Sequence, residues 1–524
     1  MILKKDYTSE IDMKSSTKSN LIILGTLLAL SLIFTINLYY IKEKYDKSLG
    51  YSDDFTSYGD KLHLSKVSGK IHINNNWTDT KNAEICTGNG TFSDPYVIED
   101  LEINSGGLGN CILIENSNVH FKIENCTLNA GHTGIRLNNV INGKLILNNC
   151  SFNDIGIALS GCNNITISGN LANNNSYYGI HLMYSNNNSL SGNIANNNLF
   201  GIYLHVCDDN ILSGNTMNKC GLIIYGGINQ LSSHDIDNTN LVNGKPLYYY
   251  KNEVNLLPDD FLDAGQVILV NCNYSLISNL DISFNNIAVS LYYCSNNTIS
   301  GNIACNNRDG IYLHNCDDNI ISGNTVSDSS RWGIYLHTCD NNTISGNTAN
   351  NNDRGIYVTK CDNSTISGNT ATNNSYWGIC VDHCDNNTIS ENTANNNDRG
   401  IYLAVCDNNI ISGNTANNNS FYGIELYFSD FNTVSENTAN YNFHGIELYH
   451  SNFNIISKNT LIRNFVCIYE ENCIGNTFND NGDCTHGQRS SGVPIEMIIV
   501  ILVITGGATL GLTILLIIRH RKKR

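Results

Sequence analysis

Proline is nearly absent from this chain, 4 in 524 residues, and methionine and tryptophan are scarce at 5 and 3. So little proline, beside 43 glycines and a large excess of asparagine, argues against several globular units and for one repetitive array. Basic residues are also in deficit, 30 against 47 acidic ones, for a net charge of −17. A surface this acidic repels phosphate backbones, which excludes nucleic acid as a partner. Helical periodicity is missing from the long middle of the chain, where no stretch carries apolar residues at 3.6-residue spacing for long enough. Cysteine is missing from both ends: all 19 lie between two long apolar runs.

Those runs are Leu21 to Tyr40 and Met497 to Ile518. Each is near the ~20 residues that a helix needs to cross a hydrocarbon core about 30 Å thick. A polar leader of 20 residues precedes the first, and no small-x-small cleavage site follows closely. That favours a retained signal-anchor over a cleaved signal peptide. The second run ends in Arg519, Arg521, Lys522, Lys523 and Arg524, a cluster that stays cytoplasmic. The expected order is a cytoplasmic tail (1–20), a transmembrane signal-anchor (21–40), and a stalk with N-terminal cap (41–85). A repetitive domain (86–480) with an insertion near 221–287, a linker (481–494), a second span (495–518) and a basic tail (519–524) follow. Both termini would then be cytoplasmic, and the repetitive domain extracellular on a membrane crossed twice.

What fills the middle is self-similarity. Glycine followed by isoleucine recurs at Gly134, Gly156, Gly179 and Gly201, then at Gly310, Gly333, Gly355, Gly378, Gly400, Gly423 and Gly445. Spacings alternate between 22 and 23 residues, and Ala288 holds the same slot one period before Gly310. Leucine-rich repeats share this period but need spaced leucines and often a helix per repeat. Here the apolar residues alternate in bursts such as Ile311 and Leu313, between Asp, Asn, Ser and Gly clusters that favour turns. Short strands on a fixed period predict an all-β fold: a right-handed parallel β-helix of 22–23-residue coils, flanked by two transmembrane α-helices. Coils stack about 4.8 Å apart, and residues 86–480 leave room for roughly 17 of them. In-register stacking puts Asn347, Asn369 and their equivalents from Asn148 to Asn459 in one slot, where a side-chain ladder would satisfy buried polar atoms.

Eight cysteines share the slot six residues after the repeat glycine or Ala288: Cys162, Cys207, Cys294, Cys316, Cys339, Cys361, Cys384 and Cys406. Serine takes it at Ser185, Ser429 and Ser451. Exchange with serine points to a small buried position and a stack of thiols. Disulfides between neighbouring coils are a second reading, since the coil spacing suits them and an extracellular setting permits them. A soft metal such as Cu(I) is a third.

On the Gly-Ile strand, the first and third residues after glycine are aliphatic and point inward. The second and fourth point outward, and there the chain places Tyr312 with His314, Tyr335 with His337, then Tyr357 and Tyr402. Tyr203 with His205, and Glu425 and Glu447, occupy the same outward slots. The turn before each glycine carries Arg331-Trp332 or Tyr376-Trp377, alternating with Arg308-Asp309, Asp353-Arg354 and Asp398-Arg399. Tyrosine and histidine fit any exposed pleated strand. Flat rings at coil spacing can also stack on pyranose faces while Arg and His bond hydroxyls or carboxylates. Tyr312, His314, Arg331, Trp332, Tyr335, His337, Arg354, Tyr357, Trp377, Arg399 and Tyr402 are therefore the candidate ligand-binding residues. His314 and His337 also form a pair that could share a divalent metal. Asp382 with His383, and the turns Asp353-Arg354 and Asp398-Arg399, are possible catalytic groups, but none stands apart from its repeat-mates.

The opening stretch TGNGTFSDPYVIEDLEI (Thr87 to Ile103), the repeat NNTISGNT and the segment DNTNLVNGKPLYYYKN (Asp237 to Asn252) resemble the NosD-like β-helix proteins. These sit within the wider carbohydrate-binding and sugar-hydrolysis (CASH) β-helix group, often found on archaeal surfaces. The resemblance covers roughly residues 86–480 and implies a cell-surface or periplasmic β-helix associated with copper delivery or saccharide binding. A membrane span at each end departs from that pattern, and no catalytic motif is present to carry over. The favoured reading is a non-catalytic cell-surface protein that binds an extracellular polysaccharide, glycan or envelope component without a cofactor. Alternatives are a polysaccharide lyase or glycoside hydrolase, and a copper-handling protein, with Ca or Cu as the metals they would bring.

Overall fold

Two-residue apolar alternation suits a pleated strand with one buried face, and the repeat folds accordingly. The computed structural model describes residues 66–482 and 486–488; both apolar runs and both tails lie outside them. Among the described residues no helix is long and apolar enough to cross a membrane. The strand Trp332–His337 pairs in parallel with Asp309–His314 on one side and Arg354–Thr359 on the other. Ile334 therefore lies between Ile311 and Ile356, and Tyr335 between Tyr312 and Tyr357. Ile334 and Leu336 are wholly buried, while Tyr335 and His337 are half-buried on the outer face. The opposite wall is built from three-residue strands such as Thr343–Ser345, in a ten-stranded parallel sheet. Stacked this way the chain makes an all-β parallel solenoid of about 17 turns.

Asparagine runs the turns and the interior alike. Asn341, Asn351, Asn363 and Asn373 hold φ between 56° and 58°, left-handed backbone that asparagine tolerates better than most residues. Inside, Asn347 Nδ2 donates to Asn369 Oδ1 at 3.0 Å and to the Ile321 carbonyl at 2.8 Å. A second ladder runs through Asn387, Asn409 and Asn432, and a third through Asn374, Asn397 and Asn419. Only one of the three was expected. The repeat glycine is fixed by close approach between coils: a Cβ on Gly400 would lie 2.5 Å from the Gly423 carbonyl oxygen and 2.7 Å from Asn419 Nδ2. Gly400→Ala is expected to destabilise the fold by about 1–3 kcal/mol, read as a lowered denaturation midpoint.

Every described cysteine is a free thiol. In the cysteine column the Cys316 N–H donates to Cys339 Sγ at 3.3 Å, and the Cys361 N–H to Cys384 Sγ at 3.1 Å. The column is thus a stack of buried thiols that caps main-chain donors, as serine does at Ser429.

The stack is interrupted where the sequence loses its repeat. Strands from Ile71–Asn74 to Leu222–Tyr225 form one seven-stranded sheet, and the long outer-face sheet of the later coils has fourteen strands. Where the first gives way to the second come a helix, Ile228–Ser233, and a hairpin of Leu241–Val242 with Lys245–Lys251, whose two strands belong to the fourteen. The hairpin turns at Asn243 and Gly244, both with positive φ (53° and 77°), the requirement of a tight hairpin turn. Beyond it the strands serve two cores at once. Leu247, Ile268, Val270 and Tyr292 pack into the core of the first stack. On the same strands Val267, Leu269, Val289 and Leu291 point into the core of the second. The second stack is therefore set against the end of the first with a lateral step. Side-chain amides close the junction: the Leu222 N–H donates to Gln266 Oε1 at 3.0 Å, and Gln266 Nε2 donates back to the Leu222 carbonyl at 2.7 Å.

Candidate functional site

The outer face of the second stack starts out covered by the first stack and emerges at Tyr312. Where it emerges, the step leaves a concave corner of about 370 Å³. One wall comes from the first stack, with Tyr178, Phe200, Tyr203 and Tyr225; the other comes from the second, with Tyr312, Trp332 and Tyr335. Six of the eleven predicted site residues line this corner: Tyr312, His314, Arg331, Trp332, Tyr335 and His337. The other five, Arg354, Tyr357, Trp377, Arg399 and Tyr402, continue along the same face beyond it. A ring contact joins the two groups, Tyr335 stacking on Tyr357 at 5.1 Å, and another continues the face, Trp377 stacking on Tyr402 at 5.6 Å.

The corner holds three formal charges, all from the turns before the repeat glycine. Arg308 Nη1 lies 3.1 Å from Asp309 Oδ2, and its guanidinium reaches across to the Phe200 ring, 5.1 Å from the centroid. The Arg331 guanidinium lies over Trp332, 3.4 Å from the ring centroid. Asp309 is 1% exposed, and burial pushes its carboxyl up to about 6 against the pull of both arginines. Burial also lowers the imidazoles of His314 and His337, and raises the Tyr335 phenol to about 12. Four buried polar atoms here have no hydrogen-bond partner among the described residues: Asp309 Oδ1, His314 Nδ1, Trp332 Nε1 and His337 Nδ1.

His314 and His337 stack face to face, 5.1 Å apart at 4°. Lone pairs in two parallel ring planes do not converge on one ion, and no cluster of three or more potential metal ligands exists among the described residues. Asp382 accepts hydrogen bonds from Tyr357 at 3.2 Å and from His383 at 2.8 Å, away from the corner.

Further along, the outward slots are not exposed, contrary to the simple alternation. Glu425 and Glu447, register partners one coil apart, are 4% and 7% exposed. Arg399 Nε sits 2.7 Å from Glu425 Oε2, and His444 Nδ1 bonds Glu447 Oε2 at 2.6 Å. An arginine this close would ordinarily depress a carboxyl, yet burial outweighs it and holds Glu425 up at about 8. The alternation gave the direction of these side chains; it could not give the tyrosine and arginine cover above them.

Sequence reasoning missed the first-stack wall. Tyr203 was placed on an outward slot, but nothing in the repeat brings it near residues more than 100 positions later.

A search of curated proteins finds no match to this chain. Among solved structures, the periplasmic alginate epimerase AlgG (D317A mutant) is 15% identical with a TM-score of 0.32, over 80% of this chain and 85% of that one. The Azotobacter vinelandii mannuronan C-5 epimerase AlgE4 A-module is 13% identical with a TM-score of 0.32, over 74% and 90%. The bacteriophage CBA120 tailspike protein 2 is 14% identical with a TM-score of 0.31, over 46% and 42%. The family model of the periplasmic copper-binding protein NosD matches residues 81–253, 228–383 and 360–482, nearly the whole described solenoid. The chain belongs to the NosD family.

Proposed function

We propose that this chain is a carbohydrate-binding β-helix of the cell surface, which holds an extracellular polysaccharide in the corner and along the aromatic face leading from it. One observation carries the reading. Flat rings from both stacks wall a concave cleft that also presents the Arg308 and Arg331 guanidiniums, and the rings continue along the face beyond it. A saccharide offers both apolar faces that stack on such rings and oxygens that accept from guanidinium N–H groups. Placement outside the cell rests on the two apolar runs of the sequence, Leu21 to Tyr40 and Met497 to Ile518.

A polysaccharide lyase or hydrolase is the second reading, favoured by Asp309. A carboxyl held near 6 inside a cleft can give or take a proton at neutral pH. Release of shortened or unsaturated sugars from polysaccharides would establish it.

The family's name raises copper, and the described residues do not fit a copper centre. The thiols of the column lie wholly inside the core, each tied to main chain. Burial pushes Cys162 and Cys207 up to about 11, opposing the thiolate a metal needs.

Glycan-array binding by the full-length chain in detergent tests the proposal. Trp332→Ala combined with Trp377→Ala is expected to weaken binding at least about tenfold, with an unchanged far-ultraviolet spectrum. Binding that survives intact rejects the aromatic face as the site.

A further inference from the structure

We infer that the corner selects an anionic sugar, a pyranose chain bearing a carboxylate or sulfate whose charged group sits between Arg308 and Arg331. The inference rests on the saccharide reading and adds the chemical class of the ligand.

The charge inventory carries it. The chain as a whole is strongly acidic, at −17, yet the formal charges lining the corner are two guanidiniums against one carboxylate. Arg308 is compensated by Asp309. Arg331 makes no ion pair with any described residue; it is held flat on Trp332, an arrangement that fixes the plane of its N–H fork without using it. The other arginines of the face are already paired, Arg354 with Asp353 at 2.9 Å and Arg399 with Glu425 at 2.7 Å. An unspent cation therefore exists only at the corner, among the arginines of this face.

The surroundings strengthen that cation. Rings and aliphatic side chains line the rest of the cleft, so its field is poorly screened, and a planar guanidinium matches the oxygens of a carboxylate or sulfate. Asp309 acts in the same direction. The groups that face it are Arg308, Arg331, Tyr292, Tyr312 and Tyr335, with the two neutral-leaning histidines beyond. With its carboxyl held up near 6, it is partly protonated in mildly acidic surroundings, and its repulsion of an anion in the corner falls accordingly.

The experiment titrates the full-length chain in detergent with three hexasaccharides: oligogalacturonate, its carboxyl-reduced neutral counterpart, and a sulfated galactan fragment. At least one anionic hexamer is expected to bind about tenfold or more tightly than the neutral one, with a preference that shrinks as salt is raised. Tight binding of one anion and not the other identifies the source of the charge. Arg331→Gln is expected to collapse the preference. Asp309→Asn is expected to raise affinity for the anionic hexamer at about pH 8, a gain that misfolding does not mimic. Equal binding of charged and neutral hexamers would overturn the anion inference and leave the saccharide reading standing. No binding of any hexamer would overturn both.

Discussion

Glu425→Gln is expected to remove a loss of stability, on the order of 4 kcal/mol between about pH 4.5 and about pH 8, that the wild-type chain carries through this one carboxyl. The cause is burial. Glu425 is 4% exposed beneath Arg399, Tyr402 and Tyr422, with Glu447 one coil away. Burial raises its carboxyl from 4.5 to about 8, helped by Glu447 and opposed by Arg399. A carboxyl raised in the folded state binds its proton more tightly there than in the unfolded chain. Its contribution is therefore complete below about 4.5, declines as pH climbs through 8, and changes no further above that. Denaturant titrations at a series of pH values read the slope directly. Buried His181 and His234, lowered to about 4, add a rise in stability up to about pH 6.5, so the comparison of the two chains decides: a Gln variant with the wild-type pH dependence would contradict the assignment.

The second large effect is expected inside the stack. Asn369→Leu keeps the volume of the side chain and removes its polar atoms, and it should destabilise the fold by about 3–5 kcal/mol. Asn369 Nδ2 donates to the Ile344 carbonyl at 2.8 Å and to Asn392 Oδ1 at 2.9 Å. Its Oδ1 accepts the Asn347 N–H at 2.9 Å and Asn347 Nδ2 at 3.0 Å. Leucine leaves those groups buried and short of partners. Asn341→Gly is the control: it lies in an exposed turn with φ of 57°, where glycine is at ease, and a change below about 1 kcal/mol is expected. Similar losses for both variants would mean that the ladder adds nothing beyond turn chemistry.

The coil was legible because everything that makes it is local and repeated. Gly400 needs only its neighbouring coil to explain it, and Asn369 needs only the coils above and below. The direction of Tyr312, Tyr335 and Tyr357 followed from strand alternation alone, and the register bears it out. The corner was not legible. It depends on a hairpin at Asn243-Gly244 that belongs to no repeat, and on Leu247, Ile268 and Val270 turning a normally outward face into core. In the sequence Arg308-Asp309 is one of several equivalent turn pairs; it becomes singular where Arg308 meets the Phe200 ring, over 100 residues earlier, and Asp309 is 1% exposed. A uniform stripe was expected, and the fold divides it into a sheltered corner and a longer open face.

The lateral step also decouples the length of the aromatic face from the shape of the corner. Coils touch only their immediate neighbours, so removing or duplicating one 45-residue unit such as 355–399 alters how far the ringed surface extends, while the charged notch beside Phe200 keeps every wall it has. Coil number then sets the reach of the face like a measuring tape, while the corner stays fixed at its zero mark.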